Sequence, residues 1–567
     1  MKKTWMLKER YPDDIAREFG SYDDCTRQLL WNRGISKKED AERFLNPDYL
    51  RDTHDPFRMK GMERAVDRIL CAIEKKEKII VFGDYDADGV CGAAVFADFF
   101  RAAGYAHFEV YNPDRFKEGY GLTRKALDAL FEKNANLIIT VDTGVTSFDE
   151  IADAEGRGIN VIVIDHHLVP PKWPPAYAIL DPRQEDETYP FTGLCGTGLA
   201  FKTVQAILKK NSFGLVPGWE KWLLDLVAIA SVADMVPLTG ENHALVYWGL
   251  EVMKRGRRAG LAALARAASL DLAHVSATDI GFTVAPRINV AGRMEHATIA
   301  GSLLAARMAL EAETFACRLE NLIAERKALV GEVLESAKQK FGPNVPPLII
   351  LGDERWQPGV LSIAANRFLE TFACPVVLWG RKGSEVVRGS IRSDGTVSTV
   401  DWMREAGEDL FIDFGGHPIA GGFSVRDEHV GELDARMRAA YERMPKGENA
   451  HTELALEKEM LLDDVNSRTL AMVSRFEPCG MENPKPVFWF RALSVAGAKT
   501  FGNGGIHLEF SFRNSGGNTV RAVGFFTSDH GDPVKMGDRI DLAATLEYST
   551  FRGYDELRLR IVDFKKI

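Results

Sequence analysis

Three short runs constrain this chain more than anything else in it. "KIIVFG" (78–83), "NLIITVD" (136–142) and "NVIVID" (160–165) are apolar, rich in β-branched residues, and lack the alternation of a strand with one wet face. Between them lie helical segments, "TRKALDALFEKN" (123–134) and "SFDEIADAEGRG" (147–158). Continuous apolar strands separated by helices predict a parallel sheet buried on both faces, an α/β fold. In such a sheet the carboxyl ends of the strands share one edge, and ligands bind there. That edge is where the ionisable groups fall. The first run leads into Asp84, Asp86 and Asp88, the second ends at Asp142, and the third at Asp165-His166-His167. The apolar helix "WEKWLLDLVAIASVAD" ends in a further acid, Asp234, which can reach the same edge.

Carboxylates this close raise one another's pKa unless something neutralises them. A single Asp after a strand is usually a helix cap or turn residue, and Asp84 alone reads that way. Three successive strand ends loaded with Asp and His do not. Carboxylates with one or two imidazoles and no thiolate form a hard, oxygen-rich site, which suits Mn²⁺ or Mg²⁺ better than zinc. One cation answers the crowding, and two answer it better.

At 567 residues the chain is too long for one core. Residues 1–55 are charged and predicted helical; 56–300 form the α/β unit. An amphipathic helix predicted over 303–341, within a connecting region at 301–343, stops at Gly342-Pro343. A second α/β segment covers 344–450, with strands in "PPLIILGD", "CPVVLWG" and "VVRGSIRS". From 451 to 567, "IHLEFSF", "TVRAVGFF", "RIDLAATLEY" and "ELRLRIVDF" alternate between Gly/Asn turns, as in a small barrel. The seven cysteines are scattered without a CxxC pair, so no disulfide framework or cysteine zinc site is expected. The start lacks a signal-peptide core and no apolar run approaches membrane-spanning length, so a cytoplasmic protein without a membrane span is expected. The net charge of −10 argues mildly against nucleic acid, but acidic metal ligands enter that sum and binding follows local patches.

The chain resembles the DHH phosphoesterase superfamily, and within it the bacterial RecJ-type single-stranded-DNA-specific exonucleases. The resemblance rests on "GDYDADG", "NPDRFKEGYGL", "VDTG", "DHH", "CGTGLAFK", "SVADMVPL", "APRINVAGRM", "WQPGVLSIAANR", "RGSIRS" and "GGHPIAGGF", in that order over nearly the whole length. It implies a DHH lobe and a DHHA1 lobe joined by the long helix, followed by an OB-fold barrel. Asp88, Asp142, His166 and Asp234 then resemble the ligands of one metal, and Asp86 with the shared Asp142 those of a second. His167 would face the scissile phosphate or protonate a leaving group. Two metals bridged by a carboxylate activate water and stabilise both oxygens of an in-line displacement. The implied reaction is 5′→3′ digestion of single-stranded DNA to 5′-mononucleotides, in repair and recombination. A single-strand-binding protein and a helicase are plausible partners of a monomeric enzyme of this kind. Two positions depart from the family pattern. Phe82 stands where many members have a metal-binding His, so the resemblance implies fewer protein ligands at the second site unless Asp84 or water fills in. Gln357 replaces a His and can donate to phosphate but carries no charge.

Phosphate-binding groups are expected in the second half. "GGHPIAGG" reads as a tight turn or, through Gly415, Gly416 and His417, as an anion loop. Arg388, Ser390, Arg392 and Ser393 supply donors suited to phosphate, and Arg287, Asn289 and Arg293 form another polar cluster that the resemblance turns toward the cleft. "KRGRR" (254–258) reads as a solvated helix end more readily than as a DNA contact. Phe551, Arg552 and Tyr554 have the composition of a base-stacking turn. Two rival readings remain. One is a DHH phosphodiesterase for short oligonucleotides or cyclic dinucleotides, against which the terminal barrel speaks. The other is a non-enzymatic DNA-binding scaffold, against which the intact acids speak.

Overall fold

The structure, a computed structural model, describes residues 3–567 except 116, 120, 169, 171, 342–345, 383–385, 448–452, 503–505, 526–532 and 550–555. The chain starts with a strand, β1 (Thr4–Leu7), inside the stretch expected to be helical, followed by helices α1 (Asp13–Glu18), α2 (Asp24–Trp31), α3 (Lys38–Leu45) and α4 (Tyr49–Asp52). The sheet of the first lobe is built from β2 (Ile79–Gly83), β3 (Phe108–Tyr111), β4 (Leu137–Val141), β5 (Asn160–Ile164) and β6 (Ala178–Leu180). It is all parallel, in the order β3-β2-β4-β5-β6. Its two outer strands carry weak signals: β3 includes Glu109, and β6 is three residues long.

Helices cover both faces. Ile79, Val81, Ile139, Ile162 and Ile164 face α5 (Met62–Lys75), α6 (Ala87–Ala102), α9 (Gly196–Lys210), α10 (Leu224–Ala233) and α11 (Gly240–Lys254) in one core. Ile80, Phe82, Ile138, Val161 and Val163 face α7 (Arg124–Glu132) and α8 (Phe148–Gly156) in another. Two-sided burial explains the missing alternation in these strands.

Farther along come α12 (Ala259–Ala267), α13 (Ala277–Asp279), α14 (Ala285–Met294), α15 (Thr298–Ala305) and α16 (Ala309–Phe341). The expected long helix thus starts at Ala309 rather than 303. The break has a tertiary cause: the carbonyl of Leu304 accepts from Arg258 (3.0 Å), and the chain leaves the helix at Ala306. Arg258 also corrects the reading of "KRGRR". It is buried between Asp225 (2.7 Å) and Asp98 (2.7 Å), whereas Arg257 lies over the Trp222 ring and Lys254 pairs with Glu251. The 33-residue α16 is ~50 Å long. It buries Ala312, Ala316, Leu319 and Leu322 in the first lobe, and Val330, Val333 and Ala337 in the second.

The second lobe has β7 (Ile349–Asp353), α17 (Pro358–Phe372), β8 (Val376–Gly380), β9 (Val387–Arg392), β10 (Phe411–His417) and β11 (Ala420–Val425), with sheet order β10-β11-β9-β8-β7. "GGHPIAGG" is therefore a hairpin rather than a loop: Gly415 pairs with Gly422 and Gly416 with Gly421 across the ladder, turning at Pro418-Ile419.

β12 (Glu453–Leu456) pairs in parallel with β1. The last sheet runs β13-β14-β18-β19-β17-β16-β15, from β13 (Lys458–Glu459), β14 (Phe488–Ser494), β15 (Gly497–Phe501), β16 (His507–Arg513), β17 (Thr519–Gly524), β18 (Arg539–Ser549) and β19 (Glu556–Lys566). Among the described residues no ladder joins β15 to β13, so hydrogen bonds do not close the expected barrel. Its core is shared with the N-terminal helices: Tyr11, Ile15, Phe19, Leu29 and Leu30 pack with Phe488, Phe490, Phe510 and Phe512.

Truncating Arg258 to Ala would leave the buried Asp225 carboxylate without its cation and Asp98 with Arg101 alone (3.7 Å). The expected cost is ~3–5 kcal/mol of stability, read by denaturant unfolding, with DNA affinity of the folded fraction unchanged.

Candidate metal centre

The sheet register brings the acids together. Gly83, Val141, Ile164 and Leu180 are paired in one row. Just beyond it, the N–H of Asp84 donates to Val141 (3.2 Å), that of Asp142 to Ile164 (2.9 Å) and that of Asp165 to Leu180 (3.1 Å). One residue past three adjacent strands, the ladder therefore still holds each acid level with the next.

Asp86 caps α6, its Oδ1 accepting from the N–H groups of Asp88 (2.9 Å) and Gly89 (3.2 Å). Asp88 is buried, and each of its oxygens is fixed by the first turn of α9: Gly196 N–H donates to Oδ2 (2.7 Å) and Thr197 N–H to Oδ1 (2.7 Å). A Cβ on Gly196 would come within 2.8–3.0 Å of Asp142, so only glycine lets α9 approach that closely. Asp142 turns out of β4 in the left-handed region (φ 61°), which Asp tolerates better than most residues. Asp234 is the C-cap of α10.

His166 Nε2 lies 3.1 Å from Asp142, 3.4 Å from Asp234 and 3.7 Å from Asp88. Ligand atoms of Asp88, His166 and Asp234 lie within 4.8 Å of one another; so do those of Asp84, Asp86 and Asp142, and those of Asp142, His166 and His167. Asp142 thus belongs to the second cluster while touching the histidine of the first. Phe82 points into the opposite core, stacked on Tyr111 (5.6 Å between centroids), and Asp84 joins the cluster instead.

Burial and the neighbouring carboxylates push Asp84 and Asp142 well above the usual carboxylate range, and Asp234 up to about 8. Burial holds His166 below its ordinary value. His167 is the reverse case. Burial works against its charge, but the bond from Nδ1 to Asp165 (2.7 Å) and the charge of Asp165 outweigh it, to about 9. Asp165 also accepts from the backbone N–H groups of His166 (2.8 Å), His167 (3.2 Å) and Val145 (3.1 Å), so it holds the backbone of both histidines and the ring of His167. The residues fit a divalent cation: they are oxygen-rich and crowded with like charge, and the buried Oδ1 of Asp84 has no hydrogen-bond partner among the described residues.

A cleft of about 870 Å³ opens between the lobes, lined by Arg115, Arg293, Arg388, Ser390, Arg392, Gly415 and Gly416. A smaller cavity of about 300 Å³ adjoins it, lined by Asp84, Asp86, Asn289 and the same Arg115 and Arg293. Arg388 donates to the carbonyl of Arg115 (3.0 Å), and Arg392 to Ser390 Oγ (3.1 Å). Burial and the charges of Arg115 and Arg326 lower Arg293 to about 10, the sign of a cationic cleft short of anions.

Other expected phosphate ligands lie outside the cleft or, in the case of Asn289, line the adjoining cavity with the side-chain oxygen already bonded. Arg287 pairs with Glu320 on α16 and donates to Thr283 (2.9 Å). Ser393 is buried, holding the carbonyl of Val397 (2.6 Å). His417 is at the exposed end of β10, with its carbonyl bonded to Thr399. Gln357 is the N-cap of α17 and does not line the cleft. Asn289 Oδ1 accepts from Ala87 N–H (2.7 Å). Phe551, Arg552 and Tyr554 lie outside the described residues. Sequence reasoning missed Arg115, although "NPDRFKEGYGL" contains it, and Asn112, whose Nδ2 donates to Gly83 (2.9 Å) and Asp84 (3.0 Å).

Three family models match the chain: the DHH family N-terminal domain at residues 78–231, the DHHA1 domain at 345–443 and the RecJ OB domain at 456–563. The single-stranded-DNA-specific exonuclease RecJ of Bacillus subtilis is 33% identical over 94% of this chain and 67% of its own length. That of Haemophilus influenzae is 30% identical over 95% of both. The chain belongs to the RecJ family. RecJ of Thermus thermophilus, crystallised with Mn²⁺, superposes with a TM-score of 0.82 at 28% identity, over 99% of this chain and 79% of that one; the same protein was also crystallised with Mg²⁺. No described helix is long and apolar enough to cross a membrane.

The acid cluster carries a stability signature. Asp234 keeps its proton to about pH 8 when folded, but releases it near ~3.9 when unfolded. The native state therefore binds more protons in between, and metal-free protein should lose stability as pH rises through that window. Thermal unfolding in chelator from pH 4 to 8 tests this. Asp142→Asn should raise the metal-free midpoint by several degrees while abolishing Mn²⁺ binding.

Proposed function

We propose that the chain is a metal-dependent 5′→3′ exonuclease that degrades single-stranded DNA to 5′-mononucleotides. The observation that carries this is the continuity of the two cavities: Arg115 and Arg293 line both the carboxylate cavity and the arginine cleft. A phosphodiester held at the acids thus has a cationic pocket beyond it.

Asp88, His166 and Asp234 would hold one ion, Asp84 and Asp86 a second, and Asp142 both. Mn²⁺ or Mg²⁺ bound there would supply Lewis acidity, an activated water and charge neutralisation at the leaving oxygen. The rest is the work of side chains. Asp165 holds Nδ1 of His167 and so fixes the ring, whose Nε2 would face a phosphate or give a proton to the departing oxygen. Arg115, Arg388, Ser390 and Arg392 hold a terminal 5′-phosphate, which carries more charge than an internal one. Hairpin β10–β11 walls the cleft beyond them. A small cyclic dinucleotide has no use for the last sheet, whose family match is the RecJ OB domain.

Digestion of end-labelled oligonucleotides with Mn²⁺ tests the reading: mononucleotides should come from 5′-labelled single strands first, and duplex should resist. Folded Asp142→Ala should be inactive, and near-normal turnover would refute a shared carboxylate. Arg392→Ala should slow cleavage of 5′-phosphorylated strands about 10- to 150-fold, the loss of one charge-assisted hydrogen bond, and affect 5′-hydroxyl strands far less. Equal losses on both ends would assign the arginine to general backbone binding, with a shallower salt dependence.

A further inference from the structure

The first turn of α6 carries the acids, and its backbone donors can be accounted for one by one. The N–H groups of Asp88 and Gly89 go to Asp86 Oδ1, and that of Val90 goes to the Asp86 carbonyl (3.0 Å). The N–H of Ala87 remains, and Asn289 Oδ1 takes it at 2.7 Å from α14, some 200 residues away in sequence. An unpaired donor at a buried helix start would be costly, so this bond fixes the Asp86–Ala87 peptide plane.

α14 grips the same loop a second way. A Cβ on Gly292 would come within 2.5 Å of the Tyr85 carbonyl, so glycine lets the helix lie directly against the residue between Asp84 and Asp86. The helix is also tied to the second lobe by one of its two arginines, the other reaching only the first-lobe half of α16. Arg293 donates to Ser362 Oγ on α17 (3.0 Å), and Arg287 pairs with Glu320 on α16.

We propose that Asn289 is a positioning residue of the metal centre, and that through it α14 makes the aim of Asp84 and Asp86 depend on how the second lobe is seated. The proposal rests on the reading of the acids as metal ligands. The amide oxygen of Asn289 is already spent on Ala87. Its role is to hold one peptide, and the second lobe reaches that helix through the bond of Arg293 to Ser362.

The test is calorimetric titration of metal-free full-length protein with MnCl₂, alongside KM and kcat on a 5′-phosphorylated single strand. Asn289→Leu removes the acceptor at similar volume, and Asn289→Asp keeps an acceptor oxygen. Expected is Mn²⁺ binding weakened about tenfold or more in the Leu variant, KM within about twofold of the natural value, kcat reduced, and Mn²⁺ affinity restored in the Asp variant. If the Leu variant does not fold, Asn289→Ser, which shortens the side chain, carries the same expectation. Unchanged Mn²⁺ affinity overturns the proposal, and a raised KM alongside it would make Asn289 a DNA ligand. If the natural protein binds no Mn²⁺, the metal reading itself fails, which is a separate result.

Discussion

The rest of this structure is arranged around a repulsion. Five carboxylates, Asp84, Asp86, Asp88, Asp142 and Asp234, are brought into one small volume, and burial makes their mutual charge harder to screen. Apolar strands on both faces of the sheet supply the driving force that holds them there. The polar groups around the cluster hold each acid in place: the N–H groups of α9 on Asp88, Asn112 and Asn289 on the two sides of the aspartate loop, and Asp165 beneath the two histidines. Cations fit because the protein supplies every part of the site except the opposite charge.

The same logic extends across the cleft with the sign reversed. Arg115, Arg293, Arg388 and Arg392 face one another without a matching set of acids, and Arg293 is lowered by the company it keeps. A negative cluster and a positive one, adjoining but not paired, make a gap that a phosphate chain with bound metal can fill from both sides. α16 sets the width of that gap, because one helix contributes side chains to the cores of both lobes.

The clustering of the acids was legible in the sequence because periodicity located the strand ends, and strand ends share an edge. The buried strands β2, β4 and β5 read clearly for that reason. The outer strands β3 and β6 did not, since one carries a charge and the other is only three residues long. Side-chain direction was not legible. Arg287 and Arg293 lie six residues apart on one helix, yet only Arg293 lines the cleft, and Glu320, which claims Arg287, is distant in sequence. Arg258 and the start of α16 failed for the same cause, a tertiary partner overriding a local pattern. Asp84 carried the signal of a cap and lies within the acid cluster, whereas Asn289 carried that of a phosphate ligand and takes the N–H of Ala87.

The pairing of β1 with β12, and the core that Phe19 and Leu29 share with Phe488 and Phe510, join the two ends of the chain. During synthesis the first fifty residues therefore emerge with a hydrophobic face whose partner is encoded some 450 residues downstream. At ~5–20 residues per second that face waits on the order of 20–90 s for its cover. The catalytic lobe can fold in that interval, since its sheet is complete by residue 180. The order of manufacture is thus nuclease centre first, closure of the molecule last, with the N-terminal segment dependent until then on its own charge or on a chaperone to stay soluble.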